Sequence, residues 1–165
     1  MRQRNVIIAL TVLAAGATGW YLFRPERLFI DDVVDEAFPG EGVAAASAGP
    51  TALASGTFHS NAHETYGSAT VYQLEGGRRV LRLADFETSN GPDVRVYLVA
   101  AADVNDDDTV AKSGFVELGV LKGNVGAQNY DVPAGVDLTR YRSVTIWCKR
   151  FSVNFGTAPL RAGES

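Results

Sequence analysis

Ser143-Val144-Thr145-Ile146-Trp147-Cys148-Lys149-Arg150-Phe151-Ser152-Val153-Asn154-Phe155 carries the clearest strand pattern in the chain, its only cysteine and one of its two tryptophans. Side chains alternate between the two faces of a strand, so Val144, Ile146 and Cys148 share one face and Thr145 and Trp147 the other. After Cys148 the phase slips by one residue, because Phe151, Val153 and Phe155 form a second alternating set. A turn or a β-bulge must absorb the slip. Lys149-Arg150 lacks the Gly, Asn or Asp of a two-residue hairpin turn, so the sequence favours a bulge. Bulges re-aim side chains and often border functional sites. Cys148 is therefore the first candidate functional group.

Upstream, the same grammar repeats. Residues 68–74 and 79–84 flank Glu75-Gly76-Gly77-Arg78, a hairpin signal with glycines where positive φ is wanted. Asn90-Gly91-Pro92-Asp93 reads as a turn, and Val94, Val96 and Leu98 follow in phase. The stretch 119–133 reads as two short strands around a glycine-rich loop, and 138–141 leads into the cysteine strand. Short strands, glycine turns and no helical periodicity beyond residue 53 predict an all-β fold, an antiparallel β-sandwich over 53–161.

The N-terminal third differs. Residues 6–23, VIIALTVLAAGATGWYLF, are uncharged and follow Arg2 and Arg4. Eighteen such residues just suffice to span a bilayer as a helix, and Trp20 and Tyr21 suit an interface. This predicts a cytoplasmic tail over 1–5 and a transmembrane signal anchor over 6–23. The rival is a cleaved signal peptide ending at Ala15-Gly16-Ala17, against which the apolar run continues through Phe23. Both readings export the rest of the chain, to the periplasmic or extracellular side of a single-pass cell-membrane protein. Residues 24–38 read as a short amphipathic stalk helix opened by Pro25. A Gly/Ala/Pro-rich linker runs from there to residue 52. Net charge is −4 for the whole chain, with no basic patch outside the N-terminus, which argues against nucleic-acid binding.

Individual motifs point in few directions. Asp103 to Asp108 has D-x-N-x-D spacing, but Asp108 stands where a calcium loop needs Gly and Gly114 where it needs Glu, so it reads as a solvated acidic loop. His59 and His63 lack a Cys or carboxylate partner at zinc-like spacing, so structural hydrogen bonding is the default for both. Cys148 has two readings. Its apolar face suits an inert buried thiol; an exported, unpaired thiol beside Lys149 and Arg150 suits a reactive one. No spacing supports a hydrolytic triad, a phosphate loop or a nucleotide fingerprint.

Taken together, several segments resemble one family. They are Gly56-Thr57-Phe58, His63 with Gly67, Leu81-Arg82-Leu83 with Phe86, Gly91-Pro92-Asp93, Leu121-Lys122-Gly123-Asn124 through Gln128-Asn129-Tyr130, and Trp147-Cys148. The pattern is similar to the DM13 domain over about 53–160. The resemblance implies a sandwich related to DOMON-type (jelly-roll-like) domains and a role in electron transfer, with Cys148 as redox thiol or haem ligand. Trp147, Lys149, Arg150, Gly91, Pro92, Asp93, Lys122, Asn124 and Tyr130 become binding candidates, and His63 the one available second haem or metal ligand. The sequence carries no DOMON or cytochrome-like companion domain, so a separate redox or surface protein is the implied partner. The alternative is a non-catalytic binding module with Cys148 in its core.

Overall fold

The computed structural model describes residues 2–23, 30–39 and 49–163. It comprises two compact units, residues 1–30 and 31–165. The first contains helix α1, Arg2–Phe23, as the uncharged run leads one to expect. Among the described residues no helix is long and apolar enough to cross a membrane. The helix read from 6–23 is thus present, but the transmembrane span expected of it is not supported.

The second unit is a β-sandwich. Its described strands are β1 (Thr51–Thr57), β2 (His59–Ser60), β3 (Thr65–Gln73), β4 (Arg79–Thr88), β5 (Val94–Val99), β6 (Phe115–Val120), β7 (Gln128–Val132), β8 (Ser143–Cys148), β9 (Val153–Pro159) and β10 (Arg161–Ala162). They form two five-stranded sheets with spatial orders β10-β1-β3-β4-β7 and β2-β9-β8-β5-β6. Every neighbouring pair is antiparallel. The Glu75-Gly76-Gly77 turn joins β3 to β4 with both glycines at positive φ, 74° and 80°.

The core lies between the sheets. Leu81 and Leu83 of β4, Val71 of β3, Val96 and Leu98 of β5, and Val144 and Ile146 of β8 are all inaccessible to solvent. Burying each such side chain contributes about 1.5–3 kcal/mol. A second, smaller cluster covers the outer face of the β8 sheet, where Tyr97, Val99 and Trp147 meet Val104 and Val110. Val110 belongs to a short helix, α2 (Asp107–Ser113), that the strand-only reading of this region did not foresee. The acidic stretch builds it: Asp106 caps the helix, accepting from Thr109 N at 2.7 Å. With both faces covered, β8 is buried along its whole length.

Two expectations about the chain's course are corrected. Lys149 to Ser152 form a four-residue turn between β8 and β9, with Ser152 at φ 55°, rather than a bulge. A register shift does exist, but upstream: Ile146 faces Gly156 while Trp147 faces Asn154, so Phe155 is the extra residue. That shift lets Phe155 join the core together with Ala158, three residues on. Residues 31–38 are also not a stalk helix. They run extended along the sandwich, with Val34, Glu36 and Phe38 half-buried and their neighbours exposed. Hydrogen bonds to residues 124–129 outweigh the local helical preference; residues 24–29 lie outside the described residues.

Candidate functional site

Cys148 closes β8, its backbone opposite Val94 of β5 and Val153 of β9. The thiol is free and 1% exposed, within the inter-sheet cluster that includes Val94, Ile146 and Phe155. The alternation read from the sequence therefore holds, and it places the thiol inward. Lys149 and Arg150 are exposed in the turn. Lys149 Nζ sits 3.2 Å from Glu117 Oε2, so its charge is spent on a carboxylate rather than on the thiol.

Gly91-Pro92-Asp93 supports this end of the sheet. A Cβ on Gly91 would fall 2.7 Å from Val94 Cγ2 and 3.1 Å from the Phe155 ring, so a larger residue there would force those core side chains to shift. Pro92 is exposed. Asp93 accepts from Lys149 N at its carbonyl (2.8 Å) and from Arg95 Nε at its carboxylate (2.6 Å). Arg95 also reaches Glu117 Oε1 at 2.7 Å. Trp147 faces away from Cys148, and its ring lies 6.4 Å from that of Tyr97, which stacks on Phe115 at 4.3 Å. Burial, reinforced by the Glu117 charge, pushes the Tyr97 phenol up to about 12.

Lys122, Asn124 and Tyr130 form a second constellation, under residues 31–38, which adjoins the first: Tyr130 shares the inter-sheet core cluster with Cys148, and Leu121 N donates to Val94 O at 2.9 Å. Lys122 Nζ donates to both Glu36 carboxylate oxygens (2.7 and 2.9 Å) and to Asn129 O (2.8 Å), and lies 5.1 Å from the Tyr130 ring centre. Asn124, buried, accepts from Asp32 N at 2.7 Å and donates to Asp31 Oδ1 (2.8 Å) and Thr88 O (3.1 Å). Tyr130 donates to Gln128 Oε1 at 2.8 Å, and burial raises its pKa. Burial tends to raise the Glu36 pKa, but the hydrogen bonds from Lys122 and Asn129 outweigh it and hold the carboxyl below its usual value. The sequence reading missed Asp31, Asp32 and Glu36, because the apolar spacing around them suits a helix and only their long-range bonds bring them to this site.

The two histidines diverge. His63, in the loop after β2, packs its ring 3.9 Å from that of Phe155. His59 Nε2 lies 2.8 Å from Asp103 Oδ1. Burial tends to raise the Asp103 pKa, yet the bonds from His59 and Val104 N–H bring it below the usual carboxylate value. His59 also borders a surface cavity of about 660 Å³ with Ser68, Thr70 and Arg161, which includes neither Cys148 nor His63. Among the described residues no three His, Cys, Asp or Glu side chains gather as a metal site. A haem needs an axial ligand presented to the flat face of its macrocycle. Cys148 is enclosed by apolar core, with no open face beside its thiol for a macrocycle, so Cys148 and His63 do not fit a shared haem.

Residues 57–160 match the family profile described as electron transfer DM13. That is more than half of the chain, and it spans β2 to β9 with the Cys148 strand and the Lys122–Tyr130 segment. No curated protein and no solved structure matches the chain.

Proposed function

The chain belongs to the electron transfer DM13 family, and from that membership we propose an extracytoplasmic electron-transfer module that uses Cys148 as its redox group and its N-terminal helix as a membrane tether. The observation that carries the reading is the family match itself, because the matched residues include the chain's one thiol.

The geometry sets the terms of the chemistry. A thiol 1% exposed reacts only when its surroundings open. Cys148 is the last residue of its strand and adjoins an exposed four-residue turn, so opening the β8–β9 turn uncovers it without unfolding the sandwich. Once uncovered and deprotonated, its thiolate attacks a disulfide-bearing protein. A mixed disulfide forms, the original S–S bond breaks, and the leaving thiolate takes the electron pair. A dithiol protein then attacks Cys148 Sγ, which releases the first protein with both its thiols reduced. The dithiol protein's second thiolate displaces Cys148 and forms that protein's own disulfide. Two electrons pass from the dithiol to the disulfide, and Cys148 returns to its starting state.

The membrane tether rests on the uncharged run 6–23 behind Arg2 and Arg4. Full-length protein is expected in the membrane fraction, and protein lacking residues 1–23 in the soluble fraction; equal partition of both would contradict the tether.

For the redox role, the full chain is incubated with glutathione disulfide and then with a dithiol. A mixed disulfide at Cys148, formed under native conditions and cleared by the dithiol, is the expected result. Wild-type and Cys148→Ser chains behaving alike would rule it out. The near-complete burial of Cys148 favours a second reading, a binding module with the cysteine in its core. That reading expects no native adduct at all.

A further inference from the structure

Residues 31–38, DDVVDEAF, lie in a groove shaped to accept an extended backbone. Its floor is the 121–130 segment. Val34 N donates to Val125 O and Glu36 N to Ala127 O, both at 2.9 Å, and Val33 bridges Val125 in parallel. Two glycines make room for this: a Cβ on Gly123 would fall 2.2 Å from Asp32 O, and one on Gly126 2.0 Å from Val34 O. Side chains read the occupant at three points. Asn124 holds the backbone of Asp32 and the carboxylate of Asp31. Lys122 and Asn129 N–H hold the Glu36 carboxylate. Phe38 meets Tyr72 edge-on at 4.8 Å, with the Arg82 guanidinium 6.0 Å from its ring. The family match covers this floor and leaves residues 31–38 out.

We propose that the groove of Arg82, Tyr72 and residues 121–130 is a recognition site for extended acidic peptides ending in Glu-x-Phe, and that residues 31–38 are its resident ligand. The mode is strand addition: main-chain hydrogen bonds supply affinity, and pockets for alternate side chains supply specificity. Twelve residues separate Phe38 from Thr51. A tether of that order gives the resident segment an effective concentration of about 1 mM. A partner's acidic segment must therefore outcompete it, and occupancy couples the groove to whatever displaces residues 31–38. This inference is independent of the redox reading.

The test uses full-length protein carrying Val34→Pro, which removes the Val34 N–H bond and weakens the resident segment. The probe is a fluorescent synthetic peptide of residues 30–39. Saturable binding is expected, at least tenfold tighter than to wild type, whose groove is filled in cis. A peptide with Glu36→Lys should bind at least tenfold more weakly, and Lys122→Glu introduced into the Val34→Pro chain should reverse that preference. A folded Val34→Pro chain that binds no peptide, or binds both peptides alike, overturns the proposal. If Val34→Pro does not fold, full-length Glu36→Lys replaces it in the same titration. Should that chain fail to fold as well, residues 31–38 are a structural strand rather than a ligand, and the proposal falls.

Discussion

Serine in place of Cys148 would set a hydroxyl among Val94, Ile146 and Phe155, where no solvent reaches it. Burying such a group without a hydrogen bond costs about 1–3 kcal/mol, and chemical denaturation of the Cys148→Ser chain should show a loss of that order. This loss alone does not decide function, since a gated redox thiol and an inert one occupy the same core position. Gly126 offers a different test. Its φ of +100° and the 2.0 Å approach of Val34 O leave no place for a Cβ. Gly126→Ala should therefore expel residues 31–38 and leave the sandwich folded, seen as faster hydrogen exchange at Val34 and Glu36 with the β4 and β8 amides unchanged. Undisturbed protection at Val34 would contradict the groove geometry. At this scale the sequence was readable where alternation rules: Val144, Ile146 and Cys148 all face the core as their spacing requires. The partners of Lys149 were not readable, because Glu117 arrives from a strand 32 residues away.

Among the elements, the β8–β9 connection and the 31–38 segment are where local pattern and structure part. The phase slip after Cys148 was correctly seen, yet two devices share it: a turn at 149–152 and an extra residue at Phe155. A one-dimensional pattern cannot apportion a slip between them. Residues 30–38 carry apolar spacing compatible with a helix, and only long-range bonds to Asn124, Val125 and Ala127 decide for extension. Those bonds make docking of the segment pH-dependent. The folded Glu36 pKa lies below its ordinary 4.5, so the released segment binds protons more readily than the docked one. The contribution of Glu36 is fully present above pH 4.5 and is lost as pH falls through the lowered folded value. Acidification should release residues 31–38 before the sandwich unfolds, detectable as loss of the Val34 and Glu36 backbone NMR signals from their docked positions. Glu36→Gln should abolish this pH dependence; its persistence in that variant would place the titration elsewhere.

For the whole molecule, the sandwich architecture was legible because short alternating strands and glycine turns leave few alternatives, and the family resemblance seen in Gly91-Pro92-Asp93, Lys122–Tyr130 and Trp147-Cys148 is matched over 57–160. The arrangement of the candidate site was not legible. Of the residues grouped by resemblance, Cys148 and Tyr130 lie in the inter-sheet core, whereas Lys122 and Asn124 turn to residues 31–38. A haem shared by Cys148 and His63 does not fit, because the Cys148 thiol is enclosed in the apolar core. What remains is a buried thiol at the end of a strand, beside an exposed turn, in a family associated with electron transfer. The central claim is that this thiol is reached by local opening. It is tested most directly by the rate at which full-length native protein reacts with a thiol reagent, followed against denaturant concentration. Local opening exposes little surface, so the account predicts a rate nearly independent of denaturant until global unfolding takes over. A rate that follows the full denaturant dependence of unfolding from the first addition would show that only the unfolded chain exposes Cys148, and would contradict it.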